Sequence, residues 1–231
     1  MGRQAYAAEF IGTFALVFFG SMSYIIFFVA LGMSSQQSSY IAVALAYGLM
    51  MMVMFYTIGP VSGCHLNPAV TITAVALRKM EVSDGIAYLL AQIFGAVLAG
   101  GADFVIQPGN GGLINFGLPL PMPYIAGSEP VAAFVELIIT FFLMLSVYAV
   151  LYTDKVHKAA SGLLIGMTLA ADAIIAGPLT GGAANPCRWL GPAVASLNFA
   201  SAWVYWVGPI AGALLGGFTY EYVLTPRKRK R

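Results

Sequence analysis

The sequence predicts an all-α membrane protein with six transmembrane helices and two re-entrant half-helices, arranged as an inverted repeat. Three observations predict it. The 231 residues are 60% hydrophobic and only 9% charged, with a mean hydropathy of +0.85. Soluble domains carry about 25% charged residues, so a chain this apolar takes lipid as its solvent. Six apolar segments reach spanning length and two fall short of it. Asn-Pro occurs twice, at Asn67-Pro68 and Asn185-Pro186, each time after a Gly-containing stretch that opens with Ser or Thr.

A helix needs about 20 apolar residues to cross the hydrocarbon core. Segments 10–33, 40–58, 85–106, 131–151, 159–176 and 202–224 supply them. The first follows Arg3 and superficially resembles a secretory signal. It is too long for one, and no small-residue cleavage site closes it early, so it is taken as a retained span. Segments 67–77 and 185–197 are shorter. At about 1.5 Å per residue they measure about 16–20 Å against a core of about 30 Å, which marks them as re-entrant. The stretch 107–129 is rich in Gly and Pro and reads as a flexible exterior loop. It divides a single channel domain, residues 1–231, into repeats of about 1–106 and 130–226, with a basic tail at 227–231.

Charge sets the orientation. Arg3, Arg78, Lys79, Lys155, Lys158 and the five tail residues are ten of the eleven Lys and Arg, and in a six-span chain they fall on one side. That side is the cytoplasm, so both termini are expected there, in a plasma or inner membrane. The eleventh, Arg188, lies within the second short segment, where a cation is costly and marks function. Cys64 and Cys187 fit neither a disulfide framework nor a metal site. No metal, cofactor or nucleic-acid partner is expected.

The halves resemble each other. Glu9-Phe-Ile-Gly-Thr13 in the first span matches Glu136-Leu-Ile-Ile-Thr140 in the fourth. Ser62-Gly-Cys-His-Leu-Asn67-Pro68-Ala69 matches Thr180-Gly-Gly-Ala-Ala-Asn185-Pro186-Cys187. Each half holds three spans, and an odd number inverts the second half. Short segments at matching places in inverted repeats point to a conduction site at the midplane. Asn is a favoured N-cap and Pro a favoured first helical residue. Each pair therefore starts a half-helix whose dipole places positive charge at the membrane centre. With its oxygen used in capping, the Asn amide NH2 is free to donate into a lumen. Such a pore passes neutral molecules and repels cations, hydronium included.

At this point the chain resembles the aquaporin (major intrinsic protein) family over essentially its whole length. The residues that carry the resemblance are Glu9, His65-Leu66-Asn67-Pro68-Ala69-Val70-Thr71, Gln92, Glu136, Asn185-Pro186, Arg188 and Gly191-Pro192-Ala193. The resemblance implies a homotetramer with one pore per subunit, and glutamates at positions 9 and 136 that brace the two re-entrant loops. It also implies a constriction formed by Tyr47, Ala173, Gly182 and Arg188. Ala173 and Gly182 are small, which predicts a wider opening than a water-only pore has. Trp189 stands where glycerol-conducting relatives usually carry Asp, and Ala193 where they carry a basic residue. Tyr205-Trp206 also resembles the water-selective pattern. Water is therefore the expected cargo, with small uncharged solutes as further cargo.

An aquaglyceroporin-like channel for glycerol, urea or ammonia is the alternative within the family. A structural or junctional membrane protein without significant flux is an alternative of another class. An enzyme is not expected, because His65 and His157 stand alone, without a set such as H-E-x-x-H. Cys187 replaces the Ala usual in that motif, and a mercurial is expected to block flux through Cys187 or Cys64. Asp172 either faces the pore or pairs with a neighbour, and the sequence leaves both open.

Overall fold

The structure is a computed structural model that describes residues 1–32 and 37–225. The basic tail at 227–231 lies outside the described residues. Helix α1 (Arg3–Tyr24) runs on through a π-helical segment (Ile25–Ala30). Then follow α2 (Gln37–Ser62), the short α3 (Pro68–Ala76) and α4 (Val82–Ile106). After the linker, the second half holds α6 (Glu129–Leu151), α7 (Lys158–Thr180), the short α8 (Pro186–Ser196) and α9 (Ala202–Thr219), which runs on through Tyr220–Leu224. Six of these, in the described residues, are long and apolar enough to cross a membrane.

The helices outrun the apolar segments that predict them. α1 begins at Arg3, because polar helix formers at the interface continue the helix beyond the hydrocarbon core. α2 and α7 each pass a proline near the end, Pro60 and Pro178, and stop at the Ser or Thr that opens the following loop. A proline costs a helix one backbone hydrogen bond, and so close to the last turn that loss is tolerated.

Helix pairing follows the repeat. α1 packs on α4 and α6 on α9, and α2 meets α7 across the two halves. Lipid offers no hydrophobic drive between helices, so close backbone packing supplies the attraction. Glycines make it possible. Gly208, Gly212 and Gly216 form a ridge on α9, and a Cβ on any of them would collide with a carbonyl oxygen of α6. Gly48 and Gly166 face each other, and a Cβ on either would lie 2.5 Å from the other's carbonyl oxygen.

The linker is not the flexible loop that its Gly and Pro content predicts. It contains α5 (Pro108–Leu113) and two 3-10 turns, Asn115–Gly117 and Pro123–Ile125. Phe116 and Leu118 are buried, with the Phe116 ring 5.9 Å from that of Phe104 on α4. Aromatic burial anchors this segment over one end of the bundle.

Candidate functional site

The site is built from the two loops that end in Asn67 and Asn185. Each Asn caps its half-helix, with Oδ1 accepting from the backbone N–H of Ala69 or Cys187 at 2.9 Å. The amide nitrogens then cross between halves. Asn67 Nδ2 donates to the Ala184 carbonyl at 2.8 Å, and Asn185 Nδ2 donates to the Leu66 carbonyl at 2.9 Å. The expectation of a wholly free amide needs correcting. An amide carries two N–H groups; one fastens the opposite loop, and the second remains for the lumen. Both asparagines line the central cavity.

The loops share one backbone although their sequences differ. Gly63 and Gly181 both have φ +83°, Cys64 and Gly182 have +54° and +57°, and Leu66 and Ala184 have +50° and +49°. For a residue with a Cβ, left-handed backbone costs about 1–2 kcal/mol. Strain of this kind persists only where the surroundings enforce it. Here two buried glutamates stand against the loops. Glu9 accepts from Ser62 Oγ at 2.7 Å, His65 N at 2.9 Å, Leu66 N at 2.7 Å and Gln92 Nε2 at 2.8 Å. Glu136 accepts from Thr180 Oγ1 at 2.6 Å, Ala183 N at 3.0 Å and Ala184 N at 2.7 Å. All these partners are donors, which is what a buried carboxylate requires. A tyrosine from each half adds the same bond on each side. Tyr88 donates to the Ser62 carbonyl and Tyr205 to the Thr180 carbonyl, both at 2.8 Å. Sequence reasoning missed this pair.

Three of the four expected constriction residues, Tyr47, Gly182 and Arg188, line the cavity together with His65. Ala173 does not line it. It packs beside Gly182, whose Cβ, were there one, would be 3.2 Å from Ala173 Cα. An apolar wall of Leu16, Met51, Val70, Leu143, Val147 and Leu169, not expected from the sequence, completes the lining. Such a wall offers a permeating molecule no hydrogen bonds, so the Asn amides and Arg188 supply the polar contacts.

Arg188 is buried between two tyrosine rings. Its Cζ stands 5.1 Å from the Tyr24 centroid and 4.9 Å from that of Tyr47. Nη1 donates to the Gly117 carbonyl at 2.8 Å, and Nη2 approaches the Gly181 carbonyl at 3.5 Å, which also accepts from Tyr24 Oη at 3.3 Å. Tyr24 and Gly117 were invisible in the sequence because no motif carries them. They reach Arg188 only through the fold. Trp189 is buried behind Arg188 and stacks on Tyr205, with ring centroids 6.3 Å apart. Asp172 is not part of the cavity lining, and one of its carboxylate oxygens is buried without a hydrogen-bond partner. The two cysteines are corrected most clearly. Cys64 and Cys187 are 2% and 0% exposed and neither lines the cavity, so the expected mercurial block loses its target.

A narrow cavity with polar and apolar lining, set among six helices that, in the described residues, are long and apolar enough to cross a membrane, is what a membrane channel requires. Comparison with known proteins names its kind. The major intrinsic protein family model matches residues 2–220. The chain is 36% identical to aquaporin NIP1-1 of rice over 99% of this chain and 77% of that protein. It is 37% identical to glycerol uptake facilitator protein-like 6 of Lactiplantibacillus plantarum, over 93% and 95% of the two chains. The X-ray structure of the aquaglyceroporin from Plasmodium falciparum superposes with a TM-score of 0.84 at 27% identity, covering 96% of each chain. The chain belongs to the major intrinsic protein family, and it is an integral multi-pass membrane channel, passive and not an enzyme.

Proposed function

We propose that this channel conducts water as its main cargo, admits small uncharged solutes as further cargo, and excludes ions and protons. The observation that carries the reading is Arg188, held between Tyr24 and Tyr47 with its guanidinium fixed by the Gly117 carbonyl. A fixed guanidinium repels cations and offers donors to a passing oxygen. The half-helix N-termini add positive potential at the midplane. Aromatic rings on both sides of Arg188 narrow an opening that Gly182 leaves wide.

A second reading, a channel mainly for glycerol, urea or ammonia, is favoured by Gly182, which lines the cavity with no side chain. The names of two of the similar proteins agree with it. Stopped-flow light scattering on proteoliposomes decides between them. Rapid osmotic water flow with slower glycerol entry supports the first reading. Glycerol entry with little water flow overturns it. The remaining parts of the proposal are a homotetramer with one pore per copy, a single channel domain of two inverted repeats, a plasma or inner membrane location, and cytoplasmic termini. The distribution of Lys and Arg supports the orientation.

A further inference from the structure

The carboxyl of Asp103 has no part in the passage described above. It sits near the end of α4, completely buried, and among the described residues no Lys or Arg forms an ion pair with it. Its Oδ2 meets the Ser21 hydroxyl of α1, and its Oδ1 has no hydrogen-bond partner. A carboxylate withdrawn from water without a cation or a full set of donors is very costly. Glu9 and Glu136 show what such a group needs, and Asp103 lacks it.

Counting hydrogens narrows its state. The Ser21 hydroxyl has one hydrogen. Its oxygen lies 2.7 Å from the Val17 carbonyl and 3.4 Å from the Phe18 carbonyl, both pure acceptors. If that hydrogen goes to Val17, the close contact with Asp103 must use a hydrogen from Asp103. Only the neutral acid has one. The carboxyl O–H then donates to Ser21 Oγ, and Ser21 donates to the Val17 carbonyl.

The place of this pair gives it a role. Gly20, the neighbour of Ser21, is the floor on which Tyr47 lies, and a Cβ there would collide with the Tyr47 ring. The Tyr47 hydroxyl is buried without a hydrogen-bond partner. A negative charge here would oppose the field of Arg188, and a neutral acid does not.

We propose that Asp103 is a neutral, proton-bearing carboxyl that fixes the Gly20–Ser21 step of α1 against α4 and so positions the Tyr47 wall of the constriction. It is a positioning residue that acts through Ser21 and Tyr47, and its role rests on the reading of Tyr47 as part of the constriction. Infrared difference spectroscopy of the full-length protein in proteoliposomes tests the proton. The expected result at neutral pH is a protonated-carboxyl C=O stretch that disappears in Asp103→Asn and shifts in Ser21→Ala. Absence of that band in folded wild-type protein overturns the proposal. Flux tests the positioning. Asp103→Asn, neutral and able to donate to Ser21, keeps the wild-type ratio of glycerol to water permeability. Asp103→Leu raises that ratio by about fivefold, the change that ~1 kcal/mol of barrier produces. A ratio that moves equally in Asn and Leu variants overturns the positioning role. If the constriction lies elsewhere, Tyr47→Leu leaves the ratio unchanged while the infrared band persists, so the two failures are distinguishable.

Discussion

Arg188 is the one Lys or Arg placed inside the short segments, and its surroundings explain how a cation survives there. Two tyrosine rings and a linker carbonyl replace the water it gave up. Replacing Arg188 with Val removes the fixed charge and widens the opening. The expected outcome is a measurable proton leak, read with a pH-sensitive dye inside proteoliposomes, and faster glycerol entry. Unchanged proton tightness would show that the half-helix dipoles suffice alone. Glu136→Ala is expected to act on stability. It strands the buried N–H groups of Ala183 and Ala184, each worth about 1–3 kcal/mol. The melting temperature of the detergent-solubilised protein should fall sharply, and a wild-type value would deny the glutamate its bracing part. At this scale the sequence was readable where a motif repeats, in the Asn-Pro pairs and the two glutamates, and where the repeat is broken by a lone cation, at Arg188. Tyr24 and Gly117 were not readable, because Gly117 is 71 residues away from Arg188 in the chain and only the folded linker joins them.

The spans and half-helices were legible from apolar length and from the cap chemistry of Asn-Pro. Their ends were less so, since α2 and α7 run through Pro60 and Pro178 to finish at the loop. The linker was misread because Gly and Pro signal turns equally well in a mobile loop and in a packed one. What distinguishes them here is the burial of Phe116 beside Phe104, a tertiary contact that composition does not encode. The glycine ridge of α9 makes a testable point about element packing. Gly212→Val would drive a branched side chain into the Leu137 carbonyl of α6. It is expected to lower the thermal stability of the solubilised channel, or to prevent its folding, whereas Gly101→Val, in open space on α4, is expected to leave stability unchanged. Equal tolerance of both would refute close α6–α9 packing.

For the whole molecule, the passage runs between two halves that present the same backbone with different side chains. His65 and Leu66 occupy one loop where Ala183 and Ala184 occupy the other. The proposed constriction therefore sits on one side of a frame that is otherwise repeated. Both thiols lie outside the passage, so mercuric chloride is expected to leave water flux at its untreated level. Inhibition that disappears in Cys64→Ser would mean that the first loop opens to the lumen.

The reciprocal bonds of Asn67 and Asn185 have a consequence in time. Asn67 finds its acceptor at Ala184 and Leu66 finds its donor at Asn185, 117 and 119 residues later. During synthesis, neither bond can form until the second loop has emerged. The pore is thus a joint product of both halves and a property of neither alone. A nascent chain released just before residue 185 should insert the five spans it already holds and yet remain impermeable.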